Sequence, residues 1–211
     1  MTATPTTAPL LGEPLPVELM NTIWADRDGV HEALASAGDA RSWLAAVAAR
    51  ADVPGPDLTR WLGSAGEQDV DAVHQDLRAL RDAARCLAAL ATQDTRGSAL
   101  NQIGAATAVS QVNELAASAQ AWPVLEWPDG GTPHAAQASE AAPGPRFVAD
   151  LARATIALLG GGDGQQLRAC EAPGCVLYFV KQHPRREWCS AACGNRARQA
   201  RHYRRHHDGR S

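Results

Sequence analysis

Residues 170–196 read CEAPGCVLYFVKQHPRREWCSAACGNR, and the spacing of their cysteines decides the fold of the C-terminal part of the chain. Cys170 and Cys175 enclose four residues, Cys189 and Cys193 enclose three, and thirteen lie between the pairs. Two close thiol pairs suit tetrahedral zinc: each supplies two thiolates about one turn apart, and the spacer lets the pairs meet. Pro173-Gly174 predicts a knuckle turn that aims backbone N–H groups at sulfur, and 176–180 (VLYFV) reads as a short strand. Ser190 is placed to N-cap a helix with Cys193 in its first turns. A helix start favours anions and so helps keep thiolates deprotonated. Four thiolates close the coordination sphere, so the implied cofactor is one structural Zn²⁺ with no position left for a catalytic water.

Three other arrangements of these residues stay open at this point. Two disulfides need an oxidising compartment. An iron–sulfur cluster also takes four thiolates, though with different common spacings. In a mixed zinc site His183 replaces one thiol. The fifth cysteine, Cys86, lies far away and off the apolar stripe of its helix, as expected of a lone buried or half-buried thiol.

Immediately downstream, residues 190–207 (SAACGNRARQARHYRRHH) read as one helix. At 100° per residue, Ala192, Cys193, Ala200 and Tyr203 share a face suited to packing on the knuckle and strand. Arg198, Arg201 and Arg205, with His202 beside them, fall opposite, and Arg204 lies between. Lys181, His183, Arg185 and Arg186 form a second basic group in the loop between the cysteine pairs. A metal-anchored helix with arginines on its free face suits a DNA groove. A run of like charge is also how a merely solvated face looks. The nucleic-acid candidates are Lys181, Arg185, Arg186, Asn195, Arg196, Arg198, Arg201, His202, Arg204 and Arg205.

The rest of the chain has the opposite charge. Up to Leu167 there are 10 Arg against 20 Asp and Glu, net −10; from Arg168 onward 10 Arg and Lys face 3 acids, net +7. The overall −3 therefore joins an acidic body to a basic, polyanion-seeking tail, which argues against a uniform single-domain enzyme. The expected layout is a disordered arm over 1–16, a helical domain over 17–160, a Gly-rich hinge over 161–166, the zinc module over 167–207 and a tail over 208–211. No apolar run is long enough to span a bilayer, and 1–16 has neither the charge nor the apolar core of a secretory signal, so the expected location is the cytoplasm, associated with the nucleoid.

Within the body, residues 16–26 are a short apolar segment compatible with a strand or a first helix turn. Asp39 is expected to N-cap a helix carrying Trp43, Leu44, Val47 and Ala48, stopped by Pro54-Gly55-Pro56. Residues 57–63 predict a helical turn with Leu58, Trp61 and Leu62. The clearest helix covers 67–91, where Val70, Val73, Leu77, Leu80, Ala84, Leu87 and Ala91 recur at three and four. Another covers about 98–119 with Ile103, Val109, Val112 and Leu115 inward. Residues 121–133 predict extended chain with a hairpin at Asp129-Gly130-Gly131, 132–145 a loop, and 147–159 a last amphipathic helix. The fold class is therefore mainly α, with a small hairpin element and a treble-clef-like C-terminal zinc module of knuckle, short strand and basic helix.

Trp188-Cys189-Ser190 followed by Cys193-Gly194-Asn195-Arg196, with the CEAPGC knuckle before it, resembles the signature of the CGNR zinc finger family. Leu19-Met20-Asn21-Thr22, Trp43-Leu44 and Leu80-Arg81 resemble recurring residues of the ABATE domain that precedes that finger. The chain departs from the pattern at Lys181, where the family often has Asp followed by Ser. The resemblance implies a bacterial, stress-linked transcription regulator whose finger binds DNA, and it carries the zinc ligands onto Cys170, Cys175, Cys189 and Cys193. For the signature itself, Gly194 is expected to permit a close backbone approach, Asn195 to bond the knuckle or a base edge, and Arg196 to brace the body or a phosphate.

The leading expectation is a DNA-binding regulator whose acidic domain senses a ligand or mediates assembly, with double-stranded DNA as partner and a small-molecule effector, transcription machinery or a second copy as further partners. The alternatives are a zinc-dependent protein-interaction module that docks transcription machinery, and a zinc-thiolate redox switch. The body shows no acid–base dyad, phosphate loop or nucleophile motif, so no enzyme is expected. Trp24, Trp43, Trp61, Trp122 and Trp127 are candidates either for plain core or for an apolar effector pocket.

Overall fold

A computed structural model describes residues 8–51, 55–96 and 103–207, with backbone only for Pro56 and 204–207. Helix α1 (Leu15–Met20) opens on proline and ends at Asn21. Strands β1 (Ile23–Asp26) and β2 (Gly29–Glu32) pair antiparallel in a tight hairpin. Helix α2 (Ala37–Val47) starts from a reciprocal cap in which the Ser36 hydroxyl accepts from the Asp39 N–H and the Asp39 carboxylate accepts from the Ser36 N–H. The cap is thus Ser36, with Asp39 three residues inside the helix. The helix ends at Val47, passing into a 3-10 turn (Ala48–Arg50); Pro54 lies outside the described residues. Helix α3 (Gly55–Ser64) is longer than the single turn expected and leads into the long α4 (Glu67–Thr92).

The apolar stripe of α4 forms the centre of the body. Val73, Leu77 and Leu80 are buried against Leu44 and Val47 of α2 and Leu58 of α3, while Leu87 is half-buried and Ala91 emerges into solvent. Helix α5 (Ala105–Ala117) packs on α4 through Ala108 and Val112. Val109, expected inward, is 48% exposed, because the stripe at spacing four runs through Ala108. The part of the expected helix over 98–102 lies outside the described residues. Strands β3 (Trp122–Glu126) and β4 (His134–Ala138) form a second antiparallel hairpin, so part of the expected 132–145 loop is strand. Helix α6 (Pro143–Gly160) begins earlier than expected, using prolines in its first turn, and contributes Phe147 edge-on to Trp43 at 6.3 Å.

Beyond α6 the chain does not swing free. Residues Gly162–Gln166 form a 3-10 turn, followed by β5 (Leu167–Ala169), the cysteine knuckle, β6 (Tyr178–Val180) and α7 (Ala191–His207). The expected hinge is held because the residues on both sides of it are buried together. Leu158, Leu167, Tyr178 and Val180 form one apolar cluster with Val17 and Met20 of α1 and Ala84 and Ala88 of α4. Within the segment expected as an arm over 1–16, the described residues Ala8, Glu13 and Pro16 are buried. Residues 1–7 and the tail over 208–211 lie outside the described residues.

Candidate metal centre and basic surface

The knuckle is built by a turn in which Gly174 takes φ +71, a left-handed conformation that favours glycine. Cys175 N–H closes the turn on Ala172 C=O at 2.9 Å, and Cys170 N–H bonds Leu177 C=O at 2.9 Å. The second pair comes from the start of α7, where the Ser190 hydroxyl accepts from the Cys193 N–H at 3.3 Å, as its expected capping role requires. The four sulfurs converge: Cys170, Cys175, Cys189 and Cys193 are all buried and their Sγ atoms lie within 4.8 Å of one another. Cys175 and Cys189 are 3.8 Å apart, and Cys189 and Cys193 3.4 Å. A tetrahedron of sulfurs about 2.3 Å from zinc has edges of about 3.8 Å, so the donor set fits a single Zn²⁺.

The electrostatics point the same way. Left to protons, the cluster shares them unevenly: bonds donated by Cys175 and Cys189 hold Cys170 far below the ordinary thiol range, with backbone N–H groups of Cys189 and Ala172 helping. As donors to that sulfur, Cys175 is pushed up to about 12 and Cys189 higher still. A dication at the centre would offset the mutual repulsion of the thiolates. His183, the alternative ligand, is exposed, and its Nδ1 accepts from the Arg185 N–H at 3.1 Å. No disulfide joins the cysteines, and Cys86 is buried with its thiol on Ile103 C=O at 3.3 Å.

Two family models match the chain: the CGNR zinc finger over residues 166–206, and ABATE, described as "putative stress-induced transcription regulator", over residues 13–162. The chain belongs to the ABATE family. Its C-terminal module is a CGNR zinc finger whose four cysteines fit one structural Zn²⁺. No curated protein matches the chain. The ABATE description names a transcription regulator and no catalytic activity. No described helix is long and apolar enough to cross a membrane.

The ABATE body grips its finger with polar groups that the sequence did not advertise. Asn21, at the end of α1, acts as a substitute strand partner for β6, donating to Tyr178 C=O at 3.0 Å and accepting from the Tyr178 N–H at 2.9 Å. Arg85 of α4 donates to Met20 C=O at 2.7 Å and Val176 C=O at 3.1 Å. Arg96 donates to the carbonyls of Cys170 and Cys175, while its other side bonds Asp94, which also accepts from the Tyr178 hydroxyl at 2.8 Å. Glu13 is 1% exposed; its carboxylate accepts from the Val180 N–H at 2.9 Å and pairs with Arg186. Charged residues with no partner nearby in sequence were the available signal, but their partners lie as far away as 173 positions.

The basic residues divide into two kinds. Arg186 is committed inside the fold: besides Glu13 it donates to the carbonyls of Val180, Trp188 and Cys189 and lies 5.0 Å from the centre of the Phe179 ring. Its guanidinium is thus engaged within the fold, although it also lines the concavity at the start of α7. Arg196 turns toward the metal centre, its Nη2 3.0 Å from Cys193 Sγ. Arg185, Arg198, Arg201 and His202 are exposed and Lys181 half-exposed. Arg185 and Arg198 line one concavity of about 420 Å³ at the start of α7. Asn195 is exposed and accepts from Arg198 rather than from the knuckle. The side chains of Arg204 and Arg205 lie outside the described residues. The buried face of α7 is Cys193, Gly194 and Ala197, whereas Ala192 is exposed and Tyr203 is 63% exposed, because the knuckle covers only the first two turns. What lies against Gly194 is the Trp188 ring and not another backbone: a Cβ there would sit 3.1 Å from Trp188 Cδ1.

The tryptophans expected as core or pocket are dispersed among the described residues. Trp43 is core, Trp24 stacks on His31 at 4.2 Å, and Trp122 and Trp127 are exposed. A groove of about 960 Å³ between β4 and α6 is lined by alanines and by the charged side chains of Arg146, Asp150 and Arg153.

Proposed function

We propose that this protein is a DNA-binding transcription regulator in which zinc holds the start of α7 and the outward arginines of that helix, joined by the loop before it, grip the DNA backbone. The observation that carries the reading is the meeting of two basic groups from separate segments. Arg185 of the loop and Arg198 of α7 share one concavity, and Arg201 continues the row one turn on, 5.9 Å from the Trp188 ring centre. Lys181, Asn195, His202, Arg204 and Arg205 extend the proposed contact set along the loop and helix. Phosphates bound by arginine forks at a helix start are favoured by the geometry and by the sign of the helix dipole. The net −10 of the body repels DNA everywhere else, which confines contact to the finger.

The docked finger keeps this surface open. The body holds β5, β6 and the knuckle, while Arg185, Arg198 and Arg201 stay exposed. On this reading the protein works at the nucleoid in the cytoplasm, and the body conveys a signal, with the groove between β4 and α6 and its charged Arg146, Asp150 and Arg153 as the place for a small effector. The test is fluorescence anisotropy of labelled double-stranded DNA with zinc-loaded protein and with protein treated with a strong chelator. Binding lost on chelation and restored by zinc is expected. Equal binding by both forms overturns the proposal, and capture of a protein with only weak DNA binding would favour a protein-docking finger.

A further inference from the structure

A zinc ion ringed by four thiolates has about two negative charges in excess, and a buried site must answer them with hydrogen bonds or cations. One cation stands on the body side of the site. Arg96 approaches from that side, but its hydrogens go to the carbonyls of Cys170 and Cys175 and not to sulfur. On the other side stands Arg196, three residues after Cys193 on α7, whose Nη2 lies 3.0 Å from Cys193 Sγ. Among the described residues it is the charged group that donates directly to one of the four sulfurs. Its Nε is buried without a partner, so the guanidinium is not held there by a carboxylate or a carbonyl on that nitrogen.

We infer that Arg196 is the charge-compensating residue of the metal centre and not a reader of DNA. A guanidinium on Cys193 Sγ draws electron density from that thiolate and makes it a poorer nucleophile and a poorer site for proton attack. Zinc is thereby retained, because the guanidinium offsets part of the excess negative charge of the four thiolates and leaves Cys193 less open to alkylation. The spacing follows from helix geometry: three residues after Cys193, Arg196 lies nearly one turn on and on the same side of α7. The neighbouring Asn195 and Arg198 face solvent and bond each other, so one turn of the helix serves metal and surface with adjacent residues. The inference rests on the zinc site alone, and it stands or falls separately from the DNA proposal.

The experiment compares zinc-loaded full-length wild type with Arg196→Gln, Arg196→Lys and, as a surface control on the same turn, Asn195→Ala. Zinc transfer to a chromophoric chelator is timed, and iodoacetamide adducts are mapped by mass spectrometry, both without DNA. Circular dichroism and one zinc per chain establish that each variant is folded and loaded before the assay. Arg196→Gln is expected to release zinc about tenfold to a hundredfold faster, if the loss of metal affinity that follows removal of groups bonded to metal ligands falls on the release rate. Cys193 should become the first sulfur alkylated, Arg196→Lys should recover part of the loss, and Asn195→Ala should match wild type. Release and alkylation of Arg196→Gln at the wild-type rate would overturn the inference. So would an equal acceleration in Asn195→Ala, which would mark general loosening of the helix.

Discussion

Glu13 and Arg186 illustrate what single residues contribute to this molecule. The Glu13 carboxylate is 1% exposed and depends on Arg186 and the Val180 N–H. Arg186→Ala leaves a buried, uncompensated carboxylate, and a loss of about 3–5 kcal/mol is expected in denaturant unfolding. Arg186→Ala with Glu13→Gln should recover part of it; a loss as large for the pair as for the single change would contradict the assignment. Asp94 gives a pH signature. Bonds from Arg96, against some opposing desolvation, hold its carboxyl well below the ordinary 3.8, with the Tyr178 hydroxyl adding to them. Its folded value lies below the unfolded one, so its contribution is complete above about pH 4 and is lost progressively as pH falls below that. The difference in melting temperature between wild type and Asp94→Asn should therefore shrink between pH 5 and pH 2, and a constant difference would exclude the linkage. At this scale the sequence was most informative where chemistry is local. The cysteine spacing was enough to find the four sulfurs, because each pair folds on its own turn. Glu13, Asn21, Arg85 and Arg96 were not legible as clamps, because an isolated charge or amide in a sequence does not say which distant backbone it will meet.

Elements repeat that division. Helix α4 was readable from its stripe alone, since Val73, Leu77 and Leu80 recur at spacings that one face of a helix must bury. The start of α2 was misplaced by three residues because Ser36 and Asp39 are both good caps, and only the reciprocal bonding shows which one stands outside the helix. β4 was hidden inside a small polar stretch, since HAAQA carries no β-branched or aromatic residue and pairs by register with β3. The inner face of α7 was drawn too long, because a helical wheel gives direction and not the extent of the surface it meets. That face can be tested at Gly194, which is buried against Trp188. Gly194→Val should cost about 1–3 kcal/mol through overpacking and should speed zinc loss, as the start of α7 is pushed off the knuckle. A variant as stable as wild type and equally slow to release zinc would show that the contact does not set the helix.

For the whole molecule, the charge split marked a boundary in composition that is not a boundary in packing. The −10 body and the +7 finger share a buried cluster from Val17 and Ala84 to Leu167 and Val180, and Arg85 and Arg96 cross between them. Zinc binding energy is therefore expected to stabilise the body as well as the finger. Chelation should accelerate hydrogen exchange at the α4 amides around Ala84 and Ala88 together with those of β6, whereas exchange confined to the finger would make it an independent unit. A grip of the zinc-held arginines on DNA phosphates would be read in the salt dependence of DNA affinity. With about five phosphates engaged, log affinity against log salt should fall with a slope of about −4.5, and removing Arg198 and Arg201 together should bring the slope to about −2.7 with zinc still bound. A slope near zero in the wild type, or an unchanged slope in the double variant, would show that these arginines do not hold the DNA.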